Sequence, residues 1–185
     1  MKNNEFGRLF NNAGNGKYTT PESLENVIRY VNRTGRKSDE DLVAWGGIGI
    51  TEFHSTDTIC RQFKKVQALY MRNGDFGRYI DHEYFSFTSD AEDLLSRYSI
   101  DIDKIARDMA YDFYLPDYYQ VVYAVHKSEK EDSKLHIHFA VNTVGLEGKK
   151  RRENMSQTKE REERFNKIVL NEIVSIQRLQ NSQSP

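Results

Sequence analysis

The chain has 185 residues, with 27 Lys and Arg against 28 Asp and Glu, for a formal net charge of −1. That length fits one domain able to bury its own core. A 30% charged, 37% hydrophobic composition is globular, and it excludes a disordered or polybasic protein while leaving room for local basic patches that meet nucleic acid.

The opening MKNNEFGRLFNN has no apolar signal core, and no apolar run anywhere is long enough for a transmembrane helix. Residues 1–19 are rich in Asn and Gly and read as a flexible leading loop. Thr20-Pro21-Glu22 reads as a helix start: a capping hydroxyl, proline at the first helical position, then a carboxylate. Leu24, Val27, Ile28 and Val31 continue at helical spacing and predict a helix over roughly 21–33, which Thr34-Gly35 stops. LVAWGGIGI (42–50) reads as a buried strand that its glycines loosen or bulge. A second helix is expected from Ser55 to Asn73, with Cys60 as a core thiol on its face. This single cysteine excludes a disulfide framework and any cysteine-rich zinc site. Tyr79 to Thr88 alternates like a strand, Ser89 can cap a helical stretch, and residues 100–114 form a further helix that Pro116 closes. YYQVVYAVH (118–126) and LHIHFAVNTV (135–144), joined by the polar KSEKEDSK, predict an antiparallel hairpin. A basic loop with Lys149, Lys150, Arg151 and Arg152 follows, then an amphipathic helix over about 158–180. The tail NSQSP is linker-like, as expected if the chain is the front domain of a longer protein.

Three of the five histidines, His126, His136 and His138, lie within this hairpin. Side chains alternate along a strand, so His136, His138, Ala140 and Asn142 share one face. A turn near residue 131 sets His126 opposite His136, where cross-strand Cβ atoms are about 4.5–5.5 Å apart. Three imidazoles then converge as a facial metal site with open positions for substrate oxygens. Imidazole donors alone do not choose among Mn, Mg, Zn and Ni. A cupin-type oxygenase would want a carboxylate where Asn142 stands.

H-I-H followed by Asn142, His126 closing the previous strand, the segment HEYFSFTSD and the tyrosine of VIRYV occur in an order that resembles the HUH endonuclease superfamily. "HUH" denotes two histidines flanking a hydrophobic residue. Within it the match is to the relaxases of plasmid and conjugative-element mobilisation, over roughly residues 20–155. The resemblance implies an α+β single domain, a central antiparallel sheet of about five strands with helices packed on it and the hairpin in the middle. It implies metal-dependent, site- and strand-specific nicking and rejoining of DNA at an origin of transfer. A tyrosine hydroxyl attacks a phosphodiester, giving a 5′-phosphotyrosyl link and a free 3′-OH. One divalent ion is implied, Mn2+ or Mg2+ first, with Zn2+, Ni2+ or Co2+ as alternatives. The implied partners are single-stranded or hairpin origin DNA and other relaxosome and coupling proteins, in a bacterial cytoplasm, with no membrane. The rivals are a non-catalytic origin-binding protein on the same scaffold and a rolling-circle replication initiator.

In rolling-circle initiators the nucleophilic tyrosine usually follows the histidine pair. Here the last tyrosine is Tyr123, so the nucleophile comes from upstream, as in relaxases. Tyr30, at the edge of the first helix's apolar stripe, matches the relaxase motif of an early helical tyrosine before a basic loop. Tyr18 is the runner-up. The family often places an Asp two residues after the first histidine. Ser128 stands there, and the neighbouring Glu129 resembles the acidic residue of some mobilisation relaxases. His82 matches the histidine before the family's Ser-Phe motif, here Ser86-Phe87, and Asn142 is a further auxiliary candidate. Arg33, Arg36, Lys37, Lys149, Lys150, Arg151 and Arg152 are the candidate DNA contacts.

Overall fold

The computed structural model describes residues 5–11, 18–34, 41–51, 55–70, 77–127 and 134–182. In chain order the elements are β1 (Gly7–Asn11), α1 (Pro21–Val31), β2 (Leu42–Ile48), α2 (Thr56–Tyr70), β3 (Ile80–Phe87), α3 (Ser89–Arg97), α4 (Ile102–Tyr114), β4 (Val121–His126), β5 (His136–Asn142) and α5 (Met155–Ser182). The strands make one antiparallel sheet in the order β1-β3-β5-β4-β2, so the expected hairpin does occupy its middle. No helix among the described residues is long and apolar enough to cross a membrane.

Helices pack on both faces. Phe85, Val121, Tyr123, Val125, Ile137, Phe139 and Val141 point to one face and meet Ile105, Met109, Phe165 and Val169 of α4 and α5. Ile80, Val122, Ala124 and Ala140 point to the other and meet Leu24, Ile28, Ile59 and Phe63 of α1 and α2. The α1 and α2 cover is partial. Along β3 the residues of that face pass from buried (Ile80, His82) to half-buried (Tyr84, Ser86).

Local expectations were corrected in four places. Residues 7–11 are an edge strand rather than part of a loop. Asn166 and Glu162 of α5 accept from the backbone N–H groups of Phe6, Gly7 and Leu9, which satisfies the open edge of β1. Thr20 precedes α1 without a side-chain cap; its hydroxyl pairs with Ser23 Oγ instead. Thr88, not Ser89, caps α3 by accepting from Ala91 N. The irregularity of β2 falls between Leu42 and Ala44. Gly46 serves a close approach instead, since a Cβ there would lie 2.5 Å from the Tyr123 hydroxyl.

Candidate metal centre and its tyrosines

β4 ends and β5 begins at one rim of the sheet. The register pairs His126 with His136, and His138 lies across from Ala124, so all three rings rise on the α1 face. Their centroids are 5.5, 4.6 and 4.7 Å apart. One nitrogen from each falls within 4.8 Å of the others.

The remaining ring nitrogens are braced. His126 Nε2 lies 2.7 Å from the Val31 carbonyl, and His136 Nδ1 lies 2.7 Å from the Lys134 carbonyl. A carbonyl only accepts, so those nitrogens carry the protons and the opposite nitrogens present lone pairs. His138 Nδ1 lies 3.0 Å from His82 Nε2, and His82 Nδ1 lies 3.3 Å from the Tyr18 hydroxyl. Assigned in the same sense, His138 donates to His82 and His82 donates to Tyr18. His126 Nδ1 and His138 Nε2 are then buried lone pairs with no hydrogen-bond partner. Two such orphans are costly in a folded protein unless something fills the gap between them. The residues therefore fit a bound cation: three imidazoles, each oriented through its second nitrogen. Burial, the largest influence, lowers the pKa of His82 and of His126 to about 4, and Arg33 lowers His126 further. Burial and then His82 push His138 lower still. These rings are neutral at neutral pH, the form that binds a metal.

Tyr30, at the C-terminal end of α1, is half-buried and turns its ring edge-on to this cluster. Its centroid lies 5.3 Å from His138, 5.6 Å from His82 and 6.5 Å from His126. The Arg33 guanidinium sits 4.8 Å over the Tyr30 ring and donates to both carboxylate oxygens of Asp41, at 3.0 and 2.8 Å. Arg33 adopts φ 55, the left-handed turn that ends the helix. Tyr18 is held on the far side of His82. Burial, and then the nearby Tyr30, raise its hydroxyl pKa.

Other expected site residues stand elsewhere. Arg33 is buried and committed to Asp41 and Tyr30, so it does not offer a solvent-exposed contact. Arg151 is buried too, paired with Asp81, Glu83 and Glu153. Lys149 pairs with Asp117, Lys150 is half-buried and Arg152 is exposed. The 149–152 run follows the far end of β5, about 20 Å of strand from His136. Asn142 does not orient a histidine: its amide donates to Phe63 O and Gln120 Oε1 and accepts from Gln67, tying α2 to the sheet. Glu129, Ser128, Arg36, Lys37 and His54 lie outside the described residues. Among the described residues, exposed cations at this end of the sheet include Arg8, Lys127 and Lys134, which the sequence did not single out because the two lysines end the mixed-charge run KSEKEDSK and Arg8 lies in the Asn-rich leading segment. Asp41 was hidden in the acidic run 39–41.

A family model described as "Relaxase: MobA/VirD2-like, nuclease domain" matches residues 30–172, more than three quarters of the chain. The chain belongs to this relaxase family of DNA-nicking nucleases, and its α+β sheet is consistent with that domain. No curated protein sequence matches it. The matched segment begins at Tyr30 and contains all three clustered histidines and His82.

Proposed function

We propose that the protein nicks and rejoins one strand of origin-of-transfer DNA through Tyr30, with a divalent cation held by His126, His136 and His138. The observation that carries this reading is the packing of the Tyr30 ring against His138, His126 and His82 at the rim where the unpaired nitrogens converge.

The reaction is a transesterification. The Tyr30 oxygen bonds to phosphorus, the bond from phosphorus to the 3′ oxygen breaks, and the proton lost by the phenol ends on the 3′-OH. Rejoining is the reverse, so no water or external energy source is consumed. What a bound cation supplies is Lewis-acid compensation of charge on the phosphate oxygens. Three imidazoles suit Zn2+ or Ni2+, whereas Mn2+ and Mg2+ favour oxygen donors, which the phosphate and water would supply at the open positions. The Arg33 guanidinium, 4.8 Å over the Tyr30 ring, helps to hold that ring in place. Two observations favour Tyr30 over Tyr18: the family match begins at Tyr30 and does not extend to Tyr18, and the Tyr30 ring packs against His138 and His126 whereas the Tyr18 hydroxyl meets His82. The family context supports conjugative transfer or mobilisation, with relaxosome partners, as the process served.

The test is a denaturing gel that detects protein covalently joined to DNA, using a single-stranded oligonucleotide library and Mn2+. Adduct from the wild type and from Tyr18→Phe, with none from Tyr30→Phe, is expected. Adduct from Tyr30→Phe overturns the assignment. A mobility shift without adduct from the wild type makes the protein a binder instead.

A further inference from the structure

The sheet carries a second feature beside the metal centre. Register runs Phe10 of β1 to Tyr84 of β3 to His138 of β5, one row across three strands on one face. The Phe10 and Tyr84 rings stack, with centroids 4.8 Å apart and planes 14° from parallel. Tyr84 in turn lies 5.8 Å from His138 and 6.4 Å from His136. Phe10 remains 41% exposed. The neighbouring row on the same face is Arg8, Ser86, His136, with Arg8 exposed. This half of the face is where the α1 and α2 cover has ended.

We propose that the Phe10–Tyr84 stack is a platform for the bases of single-stranded DNA flanking the scissile phosphate. The inference rests on the nuclease reading and adds the surface that holds the strand. Three observations select this occupant. Phe10 is not needed to seal the core, because Gly7 and Leu9 are the buried residues of β1 and point to the opposite face. A second polypeptide strand cannot pair with β1, since Asn166 and Glu162 already occupy its backbone donors. Charge complementarity favours a polyanion: exposed Lys127 and Lys134 stand at this rim of the sheet, with Arg8, whose exposed ion pair with Glu5 at 3.8 Å is weak enough for a phosphate to displace. Flat exposed rings beside cations are the combination that binds single strands, because every base has a π face and every nucleotide a phosphate. The row also spaces the functions. Phe10 is two strands from His138, about 10 Å, so a base stacked on Phe10 belongs to a nucleotide next to the reacting one.

Stacking tolerates any base, so the experiment does not need the nick sequence. A short fluorescein-labelled oligothymidylate is titrated into the full chain and followed by anisotropy over a range of salt. Phe10→Ala is expected to weaken binding by roughly tenfold at every salt concentration, with the salt slope unchanged. Phe10→Leu keeps the apolar bulk and should lose as much, whereas Phe10→Trp should restore binding. Mn2+ affinity by calorimetry should be unchanged in all three variants, which separates a lost platform from a distorted metal centre. Wild-type affinity in Phe10→Ala, full rescue by Leu, or an equal loss on duplex DNA overturns the platform. So does a wild type that does not bind oligothymidylate. The adduct gel measures the nuclease reading separately: binding lost in Phe10→Ala without adduct in the wild type leaves the platform standing and sinks the nickase.

Discussion

His82 Nε2 lies 3.0 Å from His138 Nδ1, so a fourth histidine outside the hairpin orients one buried imidazole of the cluster. β3 supplies this contact because its register sets His82 beside Ala140, one step along the same face from His138. His82→Phe keeps a ring of similar size and removes the acceptor. Groups that brace a metal-binding histidine typically matter by about 10–100-fold in affinity. Calorimetric titration with Mn2+ should show a loss in that range, and unaltered affinity would mean that His138 needs no such partner.

Metal binding should also be visible as stability. Any ligand that binds only the folded chain raises its stability, by about 2.7 kcal/mol at a hundredfold excess over Kd. Mn2+ should raise the thermal midpoint of the wild type and leave that of His138→Ala unmoved. An equal rise in both would place the ion somewhere other than the triad.

Arg33 does three things at once: its guanidinium forks onto Asp41 and covers Tyr30, and its backbone ends α1 in a left-handed turn. Arg33→Lys keeps the charge but loses the planar fork and most of the ring contact. Adduct yield should fall at least severalfold while urea denaturation shows a loss of about 2 kcal/mol, in the range for one charged hydrogen bond. Full adduct yield in Arg33→Lys would mean that Tyr30 is positioned by α1 alone.

The opposite face of the sheet holds a buried ion cluster. Glu83 accepts from Arg151, Arg161 and Tyr114, and Arg161 also meets Glu153. Breaking a buried pair leaves an uncompensated charge, which costs about 3–5 kcal/mol. Glu83→Gln should lose about that much in urea denaturation. A change below about 1 kcal/mol would mean that the guanidiniums find other partners.

The same cluster sets a sign for acid. Burial opposes the Glu83 carboxylate, but Arg151 and Arg161 outweigh it and hold its pKa at about 2. Its folded pKa is below the unfolded value of about 4.3. Its contribution is therefore complete above that value and lost as pH falls towards 2. Burial raises Asp81 and Glu153, whose effect has the opposite sign and falls above their unfolded values. Thermal midpoints followed downward from pH 4 should drop more steeply in the wild type than in Glu83→Gln. Parallel curves would contradict the assignment.

Much of the site could be read from the chain because strand geometry is simple. Alternation put His136 and His138 on one face, and two long β-branched runs joined by a polar loop fixed their pairing with His126. What failed was reading charge and loop composition as exposure. Arg33 and Arg151 look like surface cations because the acids that bury them are distant in sequence: Asp41 is eight residues from Arg33, and Glu83, which Arg151 meets along with the nearby Glu153, is 68 residues from it. β1 was hidden by its Asn- and Gly-rich surroundings, and with it went Phe10 and Arg8, whose significance depends wholly on pairing with a strand far along the chain.

The sequence by itself determined the elements whose periodicity is local, the hairpin, its converging histidines and the family. Only the tertiary structure decided which phenol meets them, which nitrogen of each ring is left for a cation, and which arginines are sealed inside. Those outcomes depend on contacts between residues distant along the chain. Packing and the desolvation of buried charge select such contacts, and short-range spacing does not encode either.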